Sequence, residues 1–236
     1  MHRDERRAEL LQAIPGWYSG VAHAGLVLLS GLAVIAACLL LVERLVPWHA
    51  GLALGGLVFA NLFEWWVHKG PLHERWRGLG LLYDRHSRAH HVAFLEDDMA
   101  IKSARELRLV LFPPFVFPLF VLLNAPALVL LGWLGGRDAG LVFMASAVTY
   151  YLIYEGLHTL HHLPGHRRGV TGWMQRHHAR HHDPTRMREG NWNVSFPLWD
   201  VLLRTTLEPQ SSPGGAPEGP QRASRPEPEE DEPQRR

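Results

Sequence analysis

Long apolar runs, separated by short and strongly polar stretches, dominate the chain. The first, Val21 to Val42, is closed by Glu43-Arg44. About 20 apolar residues span a bilayer as a helix, so this run predicts a first transmembrane helix. It is too long for the apolar core of a secretory signal and lacks a convincing small-residue cleavage site. A turn at Pro47-Trp48-His49-Ala50 leads into a second run, Gly51 to Val67, whose end carries Trp65-Trp66 at the expected headgroup level. Between Ala100 and Val110, Lys102, Arg105 and Arg108 fall on one side of a helix and Ile101, Ala104 and Leu107 on another. That pattern predicts an amphipathic helix lying on the membrane. The stretch from Leu109 to Leu134 holds no charge, although Pro113, Pro114, Pro118 and Pro126 interrupt it. A kinked span therefore competes with a re-entrant hairpin, and the span is preferred. After a turn at Gly135-Gly136-Arg137-Asp138, a fourth run from Gly140 to Leu157 delivers the chain directly to His158.

The expected architecture is all-α: four transmembrane helices in two hairpins beneath a histidine-rich helical cap. The basic residues give an independent check, since they concentrate on the cytoplasmic side of a membrane. With the N-terminus inside, the segments holding Arg3 to Arg7, Lys69 to Arg108 and Arg167 to Arg204 are all cytoplasmic, and the two outer turns hold only Arg44 and Arg137. The same assignment puts every histidine cluster on one face. Residues 1–16 read as a polar head before the membrane domain, 17–207. In 208–236 the composition shifts to Pro, Gly, Ser, Glu and Arg, a segment expected to be disordered because it has little apolar surface to bury.

Composition changes this picture in two places. A formal net charge of +1 over 236 residues gives no reason to expect a nucleic-acid partner. The single cysteine, Cys38, excludes an intramolecular disulfide and any cysteine-based zinc or iron–sulfur site. With 16 histidines, a metal site would be built from imidazole and carboxylate. Arg greatly outnumbers Lys, and Ala, Leu and Gly abound, which suggests a GC-rich bacterial genome and hence a bacterial inner membrane.

Eleven of the histidines fall into four clusters: His68 and His73; His86, His90 and His91; His158, His161 and His162; and His178, His181 and His182. On a helix, steps of three and four bring side chains to one face, so two imidazoles of a cluster can reach one ion. The third points aside and could serve a second ion. His68 and His73 are five apart with Gly70-Pro71 between them, so only a break in the helix would align them. His177 competes with His178 for the first position of the last cluster. Imidazole suits iron, zinc, copper and nickel, so the ligands alone do not choose the metal. A structural zinc site, or a membrane metal transporter or sensor, is the competing reading.

These motifs resemble the fatty acid hydroxylase and sterol desaturase superfamily of membrane enzymes. The resemblance runs from about Phe59 to Leu207. It is carried by Glu64-Trp65-Trp66-Val67-His68, His73, His86 with His90-His91, Leu111-Phe112-Pro113-Pro114, Tyr154-Glu155-Gly156-Leu157-His158 with His161-His162, His178 with His181-His182, and Pro197-Leu198-Trp199-Asp200. It implies a centre of two iron ions, with zinc able to replace them in purified protein. It also implies O2 as co-substrate and hydroxylation or desaturation of a lipid such as a fatty acyl chain or sterol. An electron donor would have to come from outside, a ferredoxin, cytochrome or reductase, because the chain has no flavin, haem or iron–sulfur motif of its own. The family pattern favours His178 over His177. Glu64 and Glu155, about one helical turn before His68 and His158, are candidates to orient those imidazoles. Asp200, beside the last cluster, is a third candidate, with a capping or turn role preferred for it.

Overall fold

A computed structural model describes residues 3–209, so the tail expected to be disordered lies almost wholly outside the described residues. Among those residues the chain is helical, with one isolated bridge between Leu95 and Asp98 and no sheet. In order, the helices are α1 (Arg3–Gln12), α2 (Gly20–Leu41), α3 (Pro47–Val67), α4 (Gly80–Arg85), α5 (His91–Ala93), α6 (Leu107–Val110), α7 (Val116–Gly135), α8 (Arg137–His162), α9 (Gly169–His181) and α10 (Leu198–Leu202).

Four helices are long and apolar enough to cross a membrane: α2, α3 with its extension to Leu72, α7 and α8. Leu40, Leu123, Leu134 and Trp133 on these helices are among many large apolar side chains left exposed. Surface of that kind requires hydrocarbon as its solvent. The chain is therefore an integral membrane protein.

Helices α7 and α8 pack as the second expected hairpin, whereas α2 and α3, joined by the first expected turn, pack on α8 rather than on each other, so α8 lies at the centre. In its apolar window 61% of the residues are buried, against 17%, 17% and 6% for α2, α3 and α7. Val148, Met144 and Tyr151 of α8 build the core with Val27 and Cys38 of α2 and Phe117 of α7. At Gly140 a Cβ would lie 2.3 Å from the Leu128 carbonyl oxygen, so α7 and α8 meet backbone to backbone, the close approach that small residues allow between spans. Gly136 (φ 87°, ψ 156°) alone separates α7 from α8, in a conformation open only to glycine. Asp138 then accepts from the Glu43 and Arg44 N–H groups at 3.2 and 2.9 Å, and Arg137 pairs with Glu43 at 2.8 Å. These bonds tie both hairpin turns together at the end away from the cap.

Two local expectations change, and the preferred span over the proline-rich run is borne out. Helix α3 begins at Pro47, because proline at the first helical position needs no N–H partner and the expected turn becomes its first turn. Helix α7 is one continuous span: Pro113 and Pro114 precede it, and Pro126 is accommodated inside it. The amphipathic helix expected over Ala100–Val110 does not form. A 3-10 turn, Ala104–Glu106, leads into the short α6, whose Leu107, Leu109 and Val110 are buried. The Ile101 N–H is taken by the His162 carbonyl at 2.8 Å, and Glu106 turns inward to Arg7. Arg7, itself buried, also binds Asp98 at 3.0 Å and the Ala100 carbonyl at 2.8 Å, so the polar head is a helix packed onto the cap.

Candidate metal centre

Two π-helical turns set the histidine geometry. The first, His68–Leu72, extends α3 and contains Pro71 and a non-helical Gly70 (φ −87°, ψ −107°). Pro71 cannot donate to an α-helical bond, and the wider turn brings residues five apart to one side. The His68 and His73 rings lie 5.2 Å apart as a result. The second π turn, His86–His90, does the same for His86 and His91, whose Nε2 atoms are 3.0 Å apart. His90 points the other way, and its Nε2 lies 3.2 Å from that of His158. The α-helical step of four would have paired His86 with His90; the π turn pairs it with His91 instead.

The result is two buried groups of imidazoles that could hold metal. His68, His73, His86, His91 and His181 form one, and His90, His158, His162 and His178 the other. Within each group the ligand atoms all lie within 4.8 Å of one another. His182 stands between the groups. Its Nε2 is 3.2 Å from that of His90 and 3.1 Å from that of His178, while its ring stacks on His91 at 4.3 Å. Of the adjacent pairs, His90–His91 is split between the two groups, and His181–His182 places one member in the first group and the other between the groups.

Hydrogen bonds to backbone fix the tautomers. A carbonyl only accepts, so a ring nitrogen facing one must carry the proton. Nδ1 of His90 donates to Leu109 at 2.9 Å, of His162 to Met99 at 2.7 Å, of His181 to Gly190 at 2.9 Å and of His182 to Phe94 at 2.8 Å. His68 donates likewise to Trp192. The neutral rings therefore aim Nε2 lone pairs inward. His90 and His182 face each other at 3.2 Å with both Nδ1 positions protonated and no proton left to share. Burial pushes the His86, His90, His91, His178 and His182 imidazoles well below their ordinary range, and takes His181 down to about 4, so protonation does not relieve the contact at neutral pH. Converging lone pairs on neutral, oriented rings are the donor set of a cation site.

The other expected residues take different places. Glu64 does not reach an imidazole. It accepts from the Val194 and Ser195 N–H groups, the Ser195 and Tyr150 hydroxyls and the Asn61 amide, and so anchors the loop whose Trp192 carbonyl orients His68. Glu155 accepts from the Phe112 N–H at 3.3 Å and Tyr151 at 3.1 Å, with no imidazole among its partners. Asp200 accepts from the Trp192 and Asn193 N–H groups at 3.0 and 2.8 Å and lies 3.2 Å from His177 Nε2. It is a turn-holding residue that also engages His177, which leaves His178 as the member of the second group. His161, expected among the ligands, belongs to neither group, and both its ring nitrogens are buried without a hydrogen-bond partner.

Residues outside the four histidine clusters close the site. Trp192, nearly fully buried, sets its ring 5.2 Å from His73 and 5.4 Å from His181, so it is a packing group inside the cap, away from the membrane interface. Asn61 donates to Tyr150 at 2.7 Å and to Ser195 at 3.2 Å, completing the network around Glu64. Its only sequence signal was position: an amide inside an apolar run, three residues before an acid on the same helix face. At Gly190 a Cβ would fall 2.0 Å from the Thr205 carbonyl oxygen, so only glycine lets this strand of loop press close while holding His181.

A small, largely apolar cavity borders the histidines. Leu81, Leu111, Phe112, Phe115 and Val116 line it together with His86 of one group and His90 and His158 of the other. A family model described as fatty acid hydroxylase matches residues 52–205, which includes most of α3, all of α7, α8 and α9, and all eleven clustered histidines. The chain belongs to the fatty acid hydroxylase family. Comparison with curated proteins and with solved structures finds no match. Membership in the fatty acid hydroxylase family points to an oxidoreductase, and it fits the paired histidine groups as sites that could bind metal.

Proposed function

We propose that this protein uses O2 to hydroxylate or desaturate a lipid chain, with two iron ions held by the two histidine groups and His182 between them. Zinc would fit the same donor set in purified protein. The observation that supports this most is that His86 of one group and His90 and His158 of the other line the same largely apolar cavity in a membrane-embedded fatty acid hydroxylase family member.

Iron bound there would supply reductive activation of O2. The chain's own groups do the rest. Backbone carbonyls hold the rings so that their lone pairs converge, and Phe94 and Trp192 exclude water from beside them. The lining of Leu111, Phe112 and Val116 receives an apolar chain and aligns it with His86, His90 and His158. In hydroxylation one oxygen atom enters the C–H bond and the other leaves as water, consuming two protons and two electrons. Desaturation removes two hydrogens and, with a further two protons and two electrons from outside, both oxygen atoms leave as water. The electrons require an external ferredoxin, cytochrome or reductase. On the distribution of basic residues the cap faces the cytoplasm of a bacterial inner membrane, where such donors operate. A metal transporter would carry its ligands near the middle of the spans, whereas these follow the ends of α3 and α8.

Mass spectrometry of total lipids from cells with and without the gene tests the reading. We expect a lipid species heavier by one oxygen or lighter by two hydrogens, present only with the gene and labelled by 18O2 if hydroxylated. Identical hydroxylation and unsaturation across fatty acids, sterols and carotenoids would overturn it.

A further inference from the structure

A second cavity lies at the other end of the spans. Helices α2 and α3 both pack on α8 and not on each other, which leaves a cleft between them over the half of α8 away from the cap. Ile35 and Leu39 of α2, Ala53 and Leu57 of α3 and Ala145 of α8 line it, and its volume is about 380 Å³. That lies within the roughly 300–1,000 Å³ of ligand cavities. No residue lines both this cleft and the cavity at the histidines. Thr149, its deepest residue on α8, is twelve positions from the helix start at Arg137, about 18 Å at 1.5 Å per residue. The cleft therefore reaches about as deep as one leaflet of a ~30 Å hydrocarbon core. Leu39 and Leu45 at its rim are 54% and 66% exposed, so it opens on hydrocarbon.

Its polar groups are unevenly satisfied. The Ser146 and Thr149 hydroxyls donate to the Val142 and Ala145 carbonyls at 2.8 and 2.7 Å, so their own helix accounts for them. His49, in the first turn of α3, lines the cleft, is 5% exposed, and accepts the Val46 N–H on Nδ1 at 3.4 Å. A ring nitrogen that accepts carries no proton, so Nε2 carries it. Among the described residues that N–H has no acceptor, and Asp138 at the same end is engaged by the Glu43 and Arg44 N–H groups. A buried donor without an acceptor is costly and calls for a ligand that supplies one.

We propose that the cleft holds one glycerophospholipid from the leaflet away from the cap, with an acyl chain along Ile35, Ala53 and Ala145 and an ester carbonyl accepting from His49 Nε2–H. Residues 210–236 carry no large apolar side chain with which to fill an apolar cleft. A helix from a second copy, about 10 Å across, needs far more room over the same depth. An acyl chain is thin enough, and the bilayer presents it at the rim. The bound lipid supplies the contact that α2 and α3 do not make with each other, so it is a structural ligand, distinct from the lipid that reacts at the histidines.

The test uses the full-length protein delipidated in detergent, with 1-palmitoyl-2-oleoyl phosphatidylethanolamine titrated back. Native mass spectrometry reads occupancy and thermal unfolding reads the effect. Wild type should take up one tightly held phospholipid per chain and unfold at least about 2 °C higher with it, because a ligand bound only by the folded state stabilises that state. Ala53→Phe, whose ring fills the cleft, should take up none and ignore added lipid. His49→Phe leaves the cleft open but removes the donor, and should bind roughly tenfold more weakly, the effect of one hydrogen bond. A wild type that takes up no phospholipid, whether as monomer or as a lipid-free dimer, would overturn the proposal. So would Ala53→Phe with wild-type uptake. Should Ala53→Phe not fold, His49→Phe decides, and undiminished affinity there counts against the site. Metal content and lipid products report on the oxidative reading separately, so the two can fail independently.

Discussion

His178→Ala is expected to yield a protein that still inserts in the membrane but has lost part of its metal and its lipid product. His178 Nε2 lies 3.2 Å from His162 and 3.1 Å from His182, so its removal opens the second group on two sides. Loss of a residue that merely supports a ligand weakens metal binding by about 10–100-fold, and loss of a ligand exceeds that. Product should fall by more than about 100-fold. His177→Ala is the matched control. Its ring engages Asp200 and no member of either group, so the variant should keep its full metal content. His161→Ala should do the same. Metal analysis of the three purified variants, with lipid product measured in the same cells, checks the assignment. Full metal and activity in His178→Ala, with loss in His177→Ala, would exchange their roles.

Glu64→Ala is expected to be the most destabilising of the substitutions considered. The carboxylate is buried and receives two backbone N–H groups, two hydroxyls and an amide, all of which lose their acceptor together. Removing one side of a buried, charged network costs about 3–5 kcal/mol. Ser195→Ala, which removes one hydroxyl from the same network, should cost about 1–3 kcal/mol. Denaturant unfolding in detergent should rank the variants in that order. The Glu64 variant should also lose metal, because the loop it anchors supplies the carbonyl that orients His68. A Glu64→Ala protein as stable as wild type would remove this residue from the account.

The four spans were legible because bilayer thickness acts on run length, a property of local composition, and the charged turns bounded them. The clusters were legible because imidazole is rare beside such runs. How the histidines divide was not legible, since an α-helical step pairs His86 with His90 and only the π turn, a rare backbone state, pairs it with His91. The placement of Glu64 escaped for another reason. Its partners at Val194 and Ser195 are about 130 residues away, and no local pattern encodes a contact of that range. The failed helix over Ala100–Val110 follows the same rule: its periodicity was correct, but the end of α8 and Arg7 claimed its polar groups.

The central claim is that the two histidine groups hold two metal ions in one chain. Inductively coupled plasma mass spectrometry of protein purified without added metal or chelator, set against amino-acid analysis for the protein concentration, measures it directly. The account predicts about two ions per chain, iron when the protein is handled anaerobically. A protein that is folded, membrane-inserted and carries no more than one ion per chain after incubation with ferrous iron would contradict it.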